Sequence, residues 1–131
     1  MQGAGVSLET ELGGDLPKIR ADPVQIQQVI VNLMRNGIEA MAGARRKLLL
    51  IRSRRSAGHV LVDVRDRGTG LVDPEKIFEP FASTKETGMG MGLTICRSII
   101  EAHAGDISVV HNDGPGVTFS FSLPSDISDA T

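Results

Sequence analysis

Three groups of residues in this chain have types and spacings that could do chemistry. The first is Gly88-Met89-Gly90-Met91-Gly92-Leu93, where glycine returns at every second position. Losing every second Cβ lets the backbone take positive φ angles and approach a ligand closely. Leu93, Cys96, Ile99 and Ile100 follow at helical spacing, so the loop opens into a helix. The unpaired N–H groups and the positive dipole end at a helix start favour phosphate. A flexible hinge ahead of a core helix would use the same glycines.

The second group is Gln28, Asn32 and Asn36, which fall at i, i+4 and i+8 on one stripe of an earlier helix. Asn is a poor residue inside a helix because its side chain competes with the backbone for hydrogen bonds. Solvated stripes are more often built from Glu, Lys and Arg, although a polar solvated stripe would also read this way. Amide oxygens one turn apart can hold Mg²⁺ or its waters without repelling a polyphosphate. The third group is Asp66-Arg67-Gly68-Thr69-Gly70 at the end of a strand. Period two puts Asp66 on the same face as Val60, Val62 and Val64. A carboxylate aimed into the core side of a sheet needs hydrogen-bond donors. Capping a local turn is the alternative use for it.

The elements that must position these groups follow from periodicity. Val6, Leu8 and Thr10 alternate with Ser7, Glu9 and Glu11, giving a short strand that extends to Leu12. Gly13-Gly14-Asp15 turns the chain into a second short strand from Pro17 to Arg20. Asp22-Pro23 is an N-cap followed by a first-turn proline. The helix it starts should run to about Met41 and stop at Gly43, burying Val24, Ile26, Val29, Ile30, Leu33, Met34 and Met41. Lys47 to Arg55 and His59 to Asp66 are strands joined through Ser56-Ala57-Gly58.

From Leu71 to Thr87 periodicity is lost, and Ile77, Phe78 and Phe81 are the sizeable apolar anchors. At that length, between two glycine motifs, the segment is expected to act as a lid. A helix from about Met89 to His103 should end at Ala104-Gly105, with His103 packed or capping and Cys96 in the core. Asp106 to His111 and Val117 to Leu123 complete the sheet around the turn Asn112-Asp113-Gly114-Pro115-Gly116. Val117, Phe119, Phe121 and Leu123 point inward. The order implies an α/β two-layer sandwich: one mixed β-sheet with the helices packed on one face. Residues 1–125 form one domain and 126–131 a frayed tail. The strand pattern that begins almost at Met1 is expected of a fragment opening at a domain boundary.

Composition narrows the function. With 131 residues the chain has one domain's worth of core, and 40% hydrophobic with 23% charged residues is ordinary for a globular protein. A net charge of −2, no Trp or Tyr and four Phe argue against nucleic acid as a partner. The single cysteine excludes an intrachain disulfide, and no Cys/His cluster suggests zinc. No apolar run approaches transmembrane length and nothing at the N-terminus reads as a signal peptide, so direct membrane contact is not expected.

Taken together, Asn32 with Asn36, Asp66 with Gly68 and Gly70, Phe78-Glu79-Pro80-Phe81, and Gly88 to Leu93 stand in a fixed order. That order resembles the N, G1, F and G2 boxes of the catalytic, ATP-binding domain of bacterial sensor histidine kinases. Gly114-Pro115-Gly116-Val117-Thr118-Phe119 is similar to the family's last glycine box. The resemblance covers nearly the whole chain and implies the Bergerat sandwich shared with gyrase, heat-shock chaperones and mismatch-repair ATPases. It implies that ATP and Mg²⁺ are bound, with Asp66 accepting the adenine amine and Gly68 and Gly70 lying against the base. Asn36, with Asn32 beside it, would hold Mg²⁺. Gly88, Met89, Gly90, Met91, Gly92 and Leu93 would wrap the phosphates, with Leu71, Phe81 and Thr118 also in the nucleotide site. Lys85, a cation beside the loop, is a candidate phosphate contact. Asn32, Asn36 and Lys85 would be the catalytic set.

The departures from the family carry information too. Glu39 and Ala40 stand where many relatives have Lys and Tyr, so base stacking must be aliphatic or weak. Asn32 replaces the Glu base of the hydrolysing cousins, and an amide cannot take a proton from water. Val117 stands where some cousins use a hydroxyl near the adenine. None of His59, His103 and His111 has the family's acceptor context. The resemblance therefore implies a monomeric catalytic domain, the cytoplasmic portion of a sensor kinase. Its partners would be a histidine-bearing dimerisation domain of the full-length kinase and then a response regulator. A related protein-serine kinase and a nucleotide-gated interaction module are the competing readings.

Overall fold

The computed structural model describes residues 7–13, 21–41, 47–56, 58–68 and 92–125. The expected strand at 17–20, the stop at Gly43, the lid and the tail lie outside the described residues. The elements are β1 (Ser7–Glu11), α1 (Pro23–Ala40), β2 (Leu48–Ser56), β3 (His59–Arg65), α2 (Gly92–Ala102), β4 (Asp106–His111) and β5 (Val117–Pro124). They form a mixed five-stranded sheet in the order β1-β2-β3-β5-β4. β1 runs parallel to β2, and the other neighbours are antiparallel. Both helices pack on one face of it, α1 over β2 and β3 and α2 over β4 and β5. No helix among the described residues is long and apolar enough to cross a membrane.

α1 begins as its sequence dictates. Asp22 Oδ1 accepts the backbone N–H of Val24 at 2.9 Å and of Gln25 at 3.4 Å, and Pro23 fills the first turn. Val29, Leu33 and Met41 are fully buried, whereas Val24 is 70% exposed. Val24 therefore leaves the expected core list. It precedes Val29 by five residues, which rotates it roughly 140° away from the buried stripe.

α2 buries Leu93, Cys96, Ile99 and Ile100. Gly92 is its first described residue, and the expected start near Met89 lies outside the described residues. Its end differs from the expected glycine stop in one respect. Ala104 takes the left-handed conformation, with φ of 63°. Gly105 donates to Ile100 O at 2.9 Å and Ala104 to Glu101 O at 3.0 Å, which is a Schellman closure. Glycine is needed at 105 for space, because a Cβ there would collide with Ser122 O.

β5 alternates as expected, with Val117, Phe119, Phe121 and Leu123 all buried in the core shared by both helices. Its other face, with that of β3, holds an unexpected buried carboxylate. Asp63 is 3% exposed, although period two puts it opposite Val62 and Val64. Arg52 Nε and Nη2 lie 3.2 Å from its Oδ2, and Arg54 Nε lies 3.5 Å away. Ser120 Oγ donates to its Oδ1 at 2.7 Å. These partners surround the acid, so a polar sheet face still buries one residue.

Candidate functional site

The site grows from the end of β3. Asp66 continues the ladder, its N–H donating to Val117 O at 3.0 Å. The side chain consequently keeps the core-side orientation of Val60 and Val64, and it is 1% exposed. Its Oδ1 accepts two backbone donors, Gly68 N at 2.8 Å and Val117 N at 3.3 Å. The sequence left two uses open for this carboxylate, local capping and ligand recognition. The structure assigns one oxygen to capping, which fixes the direction of the other.

Close approach explains the glycines around it. A Cβ at Gly68 would meet Ala40 Cβ at 2.6 Å and Ala40 O at 2.7 Å, so the loop lies against the end of α1. Gly116 has φ of 97° and presses on the Asp66 carbonyl, where a Cβ would collide. Gly37 was missed in the sequence. A Cβ there would meet Leu49 Cδ1 at 2.9 Å, Asp66 Cβ at 3.2 Å and Asp66 Oδ2 at 3.5 Å. An isolated glycine inside a helical pattern costs about 1 kcal/mol relative to Ala, and that cost was the available signal.

Gly37 brings the asparagine stripe to Asp66. Asn36 is its chain neighbour and is buried at 9% exposure, Asn32 is half-buried one turn back, and Gln28 is exposed. The stripe thus sinks into the protein towards the carboxylate. Asn32 also meets α2. Its side chain hydrogen-bonds Cys96, whose thiol donates to Val29 O at 3.8 Å. Burial pushes the Cys96 thiol up to about 11 from 9.0, with that hydrogen bond acting in the opposite direction. Leu93, at the start of α2, is 4% exposed in the core.

Asn32, Asn36, Asp66 and Gly68 therefore come together around the C-terminal half of α1, with Leu93 in the core beneath α2. Thr118 does not join them. It pairs with Arg65 in the ladder and so sits on the opposite sheet face from Asp66, where its hydroxyl donates to Asn112 Oδ1 at 2.7 Å. Asn112 was also missed, because a turn asparagine gives no sign of its distant partner. Gly70, Leu71, Phe81, Lys85, Gly88, Met89, Gly90 and Met91 lie outside the described residues. Gly92 is described as the first residue of α2.

The arrangement can recognise a donor-bearing ring and bind polyphosphate metal. A buried carboxylate with one oxygen fixed suits an amine, and the tight glycines let α1 and the turn before β5 close around it. Among the described residues, no three acids, histidines or cysteines gather as a metal site. A cation here would rest on the amide oxygens and the phosphates it accompanies, which suits Mg²⁺.

Comparison with known proteins places the chain in a family. The chain is similar to the C4-dicarboxylate transport sensor protein DctS of Rhodobacter capsulatus, with 46% identity over 123 residues, 91% of this chain and 19% of DctS. It is 47% identical over 116 residues to the sensor protein FixL of Bradyrhizobium diazoefficiens, covering 86% of this chain and 23% of FixL. The chain thus spans roughly a fifth of these relatives' length. Among solved structures, the catalytic domain of histidine kinase ThkA matches with a TM-score of 0.81 at 36% identity, over 93% of this chain and 80% of that one. Full-length ShkA in complex with AMPPNP matches with a TM-score of 0.80 at 27% identity, over 93% of this chain and 26% of ShkA. ThkA in complex with the response regulator TrrA matches at 0.76 and 32% identity, over 93% and 35%. Residues 21–127 match the model of the Histidine kinase-, DNA gyrase B-, and HSP90-like ATPase family, and the chain belongs to that family.

Proposed function

We propose that this chain binds Mg-ATP and transfers its γ-phosphoryl group to a histidine on a separate dimerisation domain, from which a response regulator receives it. The observation that carries the reading is the buried Asp66 carboxylate, held by Gly68 N and Val117 N and set beside Gly37 and Asn36. In this role Asp66 accepts the exocyclic amine of adenine, and Gly68 lets the loop that would lie near the base pack against α1. Asn36, with Asn32, supplies amide oxygens for Mg²⁺. When bound, that ion neutralises phosphate charge. Asn32 carries no proton-accepting carboxylate, so water is not activated and hydrolysis is slow. Lys85 and the glycines from 88 to 92 complete the phosphate contacts. The AMPPNP complex of ShkA and the TrrA complex of ThkA support the nucleotide and partner assignments by similarity.

Transfer needs an in-line nucleophile held against the phosphate, and positioning supplies much of the rate. Of the chain's histidines, His103 is committed to Ile99 O and Asp22 N. The isolated, monomeric domain should therefore bind ATP and leave itself unlabelled. The test uses γ-labelled ATP with this chain, with the histidine-bearing domain of its own full-length protein, and with both. Acid-labile label on the acceptor only when both are present supports the proposal. Strong label on this chain alone, or an acid-stable product, overturns it. Asn36→Ala should abolish labelling and the Mg²⁺ enhancement of ATP affinity. Asn36 is buried, so the variant is also expected to lose stability, and binding must be read well below its Tm.

A further inference from the structure

The turn between β4 and β5 carries a side chain that the proposed reaction leaves unused. Asn112, the first residue after β4, donates from Nδ2 to Asp66 O at 3.0 Å and to Pro115 O at 3.1 Å. Its Oδ1 accepts the Thr118 hydroxyl at 2.7 Å, and its backbone N–H donates to Gly116 O at 3.0 Å. The orientation of the amide follows from its neighbours. Two carbonyls can only accept, so the NH₂ group faces them and the oxygen faces the hydroxyl.

One side chain thus ties together the end of β3, the glycine turn and the start of β5. Asp66 is held at its N–H by Val117 O, at its Oδ1 by Val117 N and Gly68 N, and at its C=O by Asn112. Gly116 lies flush on the same carbonyl. Tilting the carboxylate by rotating the Asp66 backbone would strain the Asn112 bond, because that bond holds the peptide plane on the C-terminal side of the Cα.

We propose that Asn112 is a positioning residue for base recognition, keyed in place by Thr118, which pre-aims the Asp66 carboxylate at the exocyclic amine of the purine. This rests on the reading of Asp66 as the amine acceptor. A hydrogen-bonding group selects its ligand only if its direction is fixed before binding, since otherwise ordering costs consume the gain. Loosening Asn112 should therefore erase discrimination for the amine while leaving the rest of the base pocket in place.

The experiment compares affinity for ATP with affinity for purine riboside triphosphate, which lacks the amine, using calorimetry and Mg²⁺. The variants are Asn112→Asp, which sets oxygen against two carbonyl oxygens, Asn112→Ala, Thr118→Val and Thr118→Ser. The parent should prefer ATP by about tenfold or more, the range for a hydrogen bond to a charged group. Asn112→Asp and Asn112→Ala should cut that preference to about threefold or less, with affinity for the amine-free analogue nearly unchanged. Thr118→Val should lower it partway, and Thr118→Ser should restore it. A parent without preference refutes the Asp66 reading and this inference with it. A parent that discriminates, with Asn112 variants that keep its ratio whatever their Tm, overturns this inference alone. Should the Asn112 variants lack a cooperative melt, the Thr118 pair decides. Equal ratios in Thr118→Val and Thr118→Ser then overturn the proposal.

Discussion

His103 Nε2 accepts the backbone N–H of Asp22 at 3.1 Å, so the residue after α2 caps the residue that starts α1. The other ring nitrogen lies 2.8 Å from Ile99 O. These partners define the tautomer, because a carbonyl can only accept and an N–H can only donate. Nδ1 carries the proton and Nε2 carries the lone pair. His103→Ala should cost about 1 kcal/mol, the usual net value of a hydrogen bond at a helix end. Urea unfolding measures this, and nitrogen NMR of the ring should show the Nδ1–H form.

The C-terminus of α2 offers the opposite kind of test. Ala104 holds φ of 63° with a Cβ that glycine would lack. Ala104→Gly should stabilise the domain by roughly 0.5–1 kcal/mol, since relief of left-handed strain exceeds the entropy cost of glycine. A rise in Tm of about 2–5 °C is expected at this size. Gly105→Ala should do the reverse and more strongly, because its Cβ has Ser122 O in its way.

Cys96 links stability to alkaline pH. Burial raises its pKa to about 11 from 9.0, so the folded state favours the neutral thiol. The stabilisation is fully present below the unfolded value and is lost as pH rises from 9 to 11. Urea midpoints should fall over that window in the parent and fall less in Cys96→Ala. At neutral pH a thiol reagent should label Cys96 only as fast as the domain opens.

Asp63 predicts a stability effect that leaves ligand binding untouched. Asp63→Ala removes the acid shared by Arg52, Arg54 and Ser120. The arginines are 41% and 50% exposed, so solvent takes up much of the loss. The expected cost is about 1–2 kcal/mol. The acid faces away from Asp66, and ATP affinity measured by calorimetry should stay at the parent value.

Much of this could be read from local pattern. Asp22-Pro23 announces α1, and alternation announces β3 and β5, because each depends on residues a few positions apart. Asp66 was legible for the same reason, as a carboxylate in phase with a valine stripe. Val24 misled because it is apolar yet out of phase with its helix. Asp63, Thr118 and Asn112 depend on partners 6 to 57 residues away, and their roles follow from strand register. Ala104 shows a third kind of failure. The glycine signal was right to within one residue, but the crowding that requires glycine at 105 comes from Ser122, on another strand.

The sheet order has a consequence for how the protein is made. β5 is the last described strand in the chain, yet it lies between β3 and β4 in the sheet. As the polypeptide leaves the ribosome, β4 has no partner that joins it to β3 until β5 emerges and inserts between them. Asp66 likewise waits for Val117 and Asn112, 51 and 46 residues later. The nascent chain therefore cannot complete the hydrogen bonds around Asp66 in stages. Release of β5 closes the described sheet and the bonds around Asp66 together, so a ribosome stalled before residue 117 should display a chain unable to retain nucleotide.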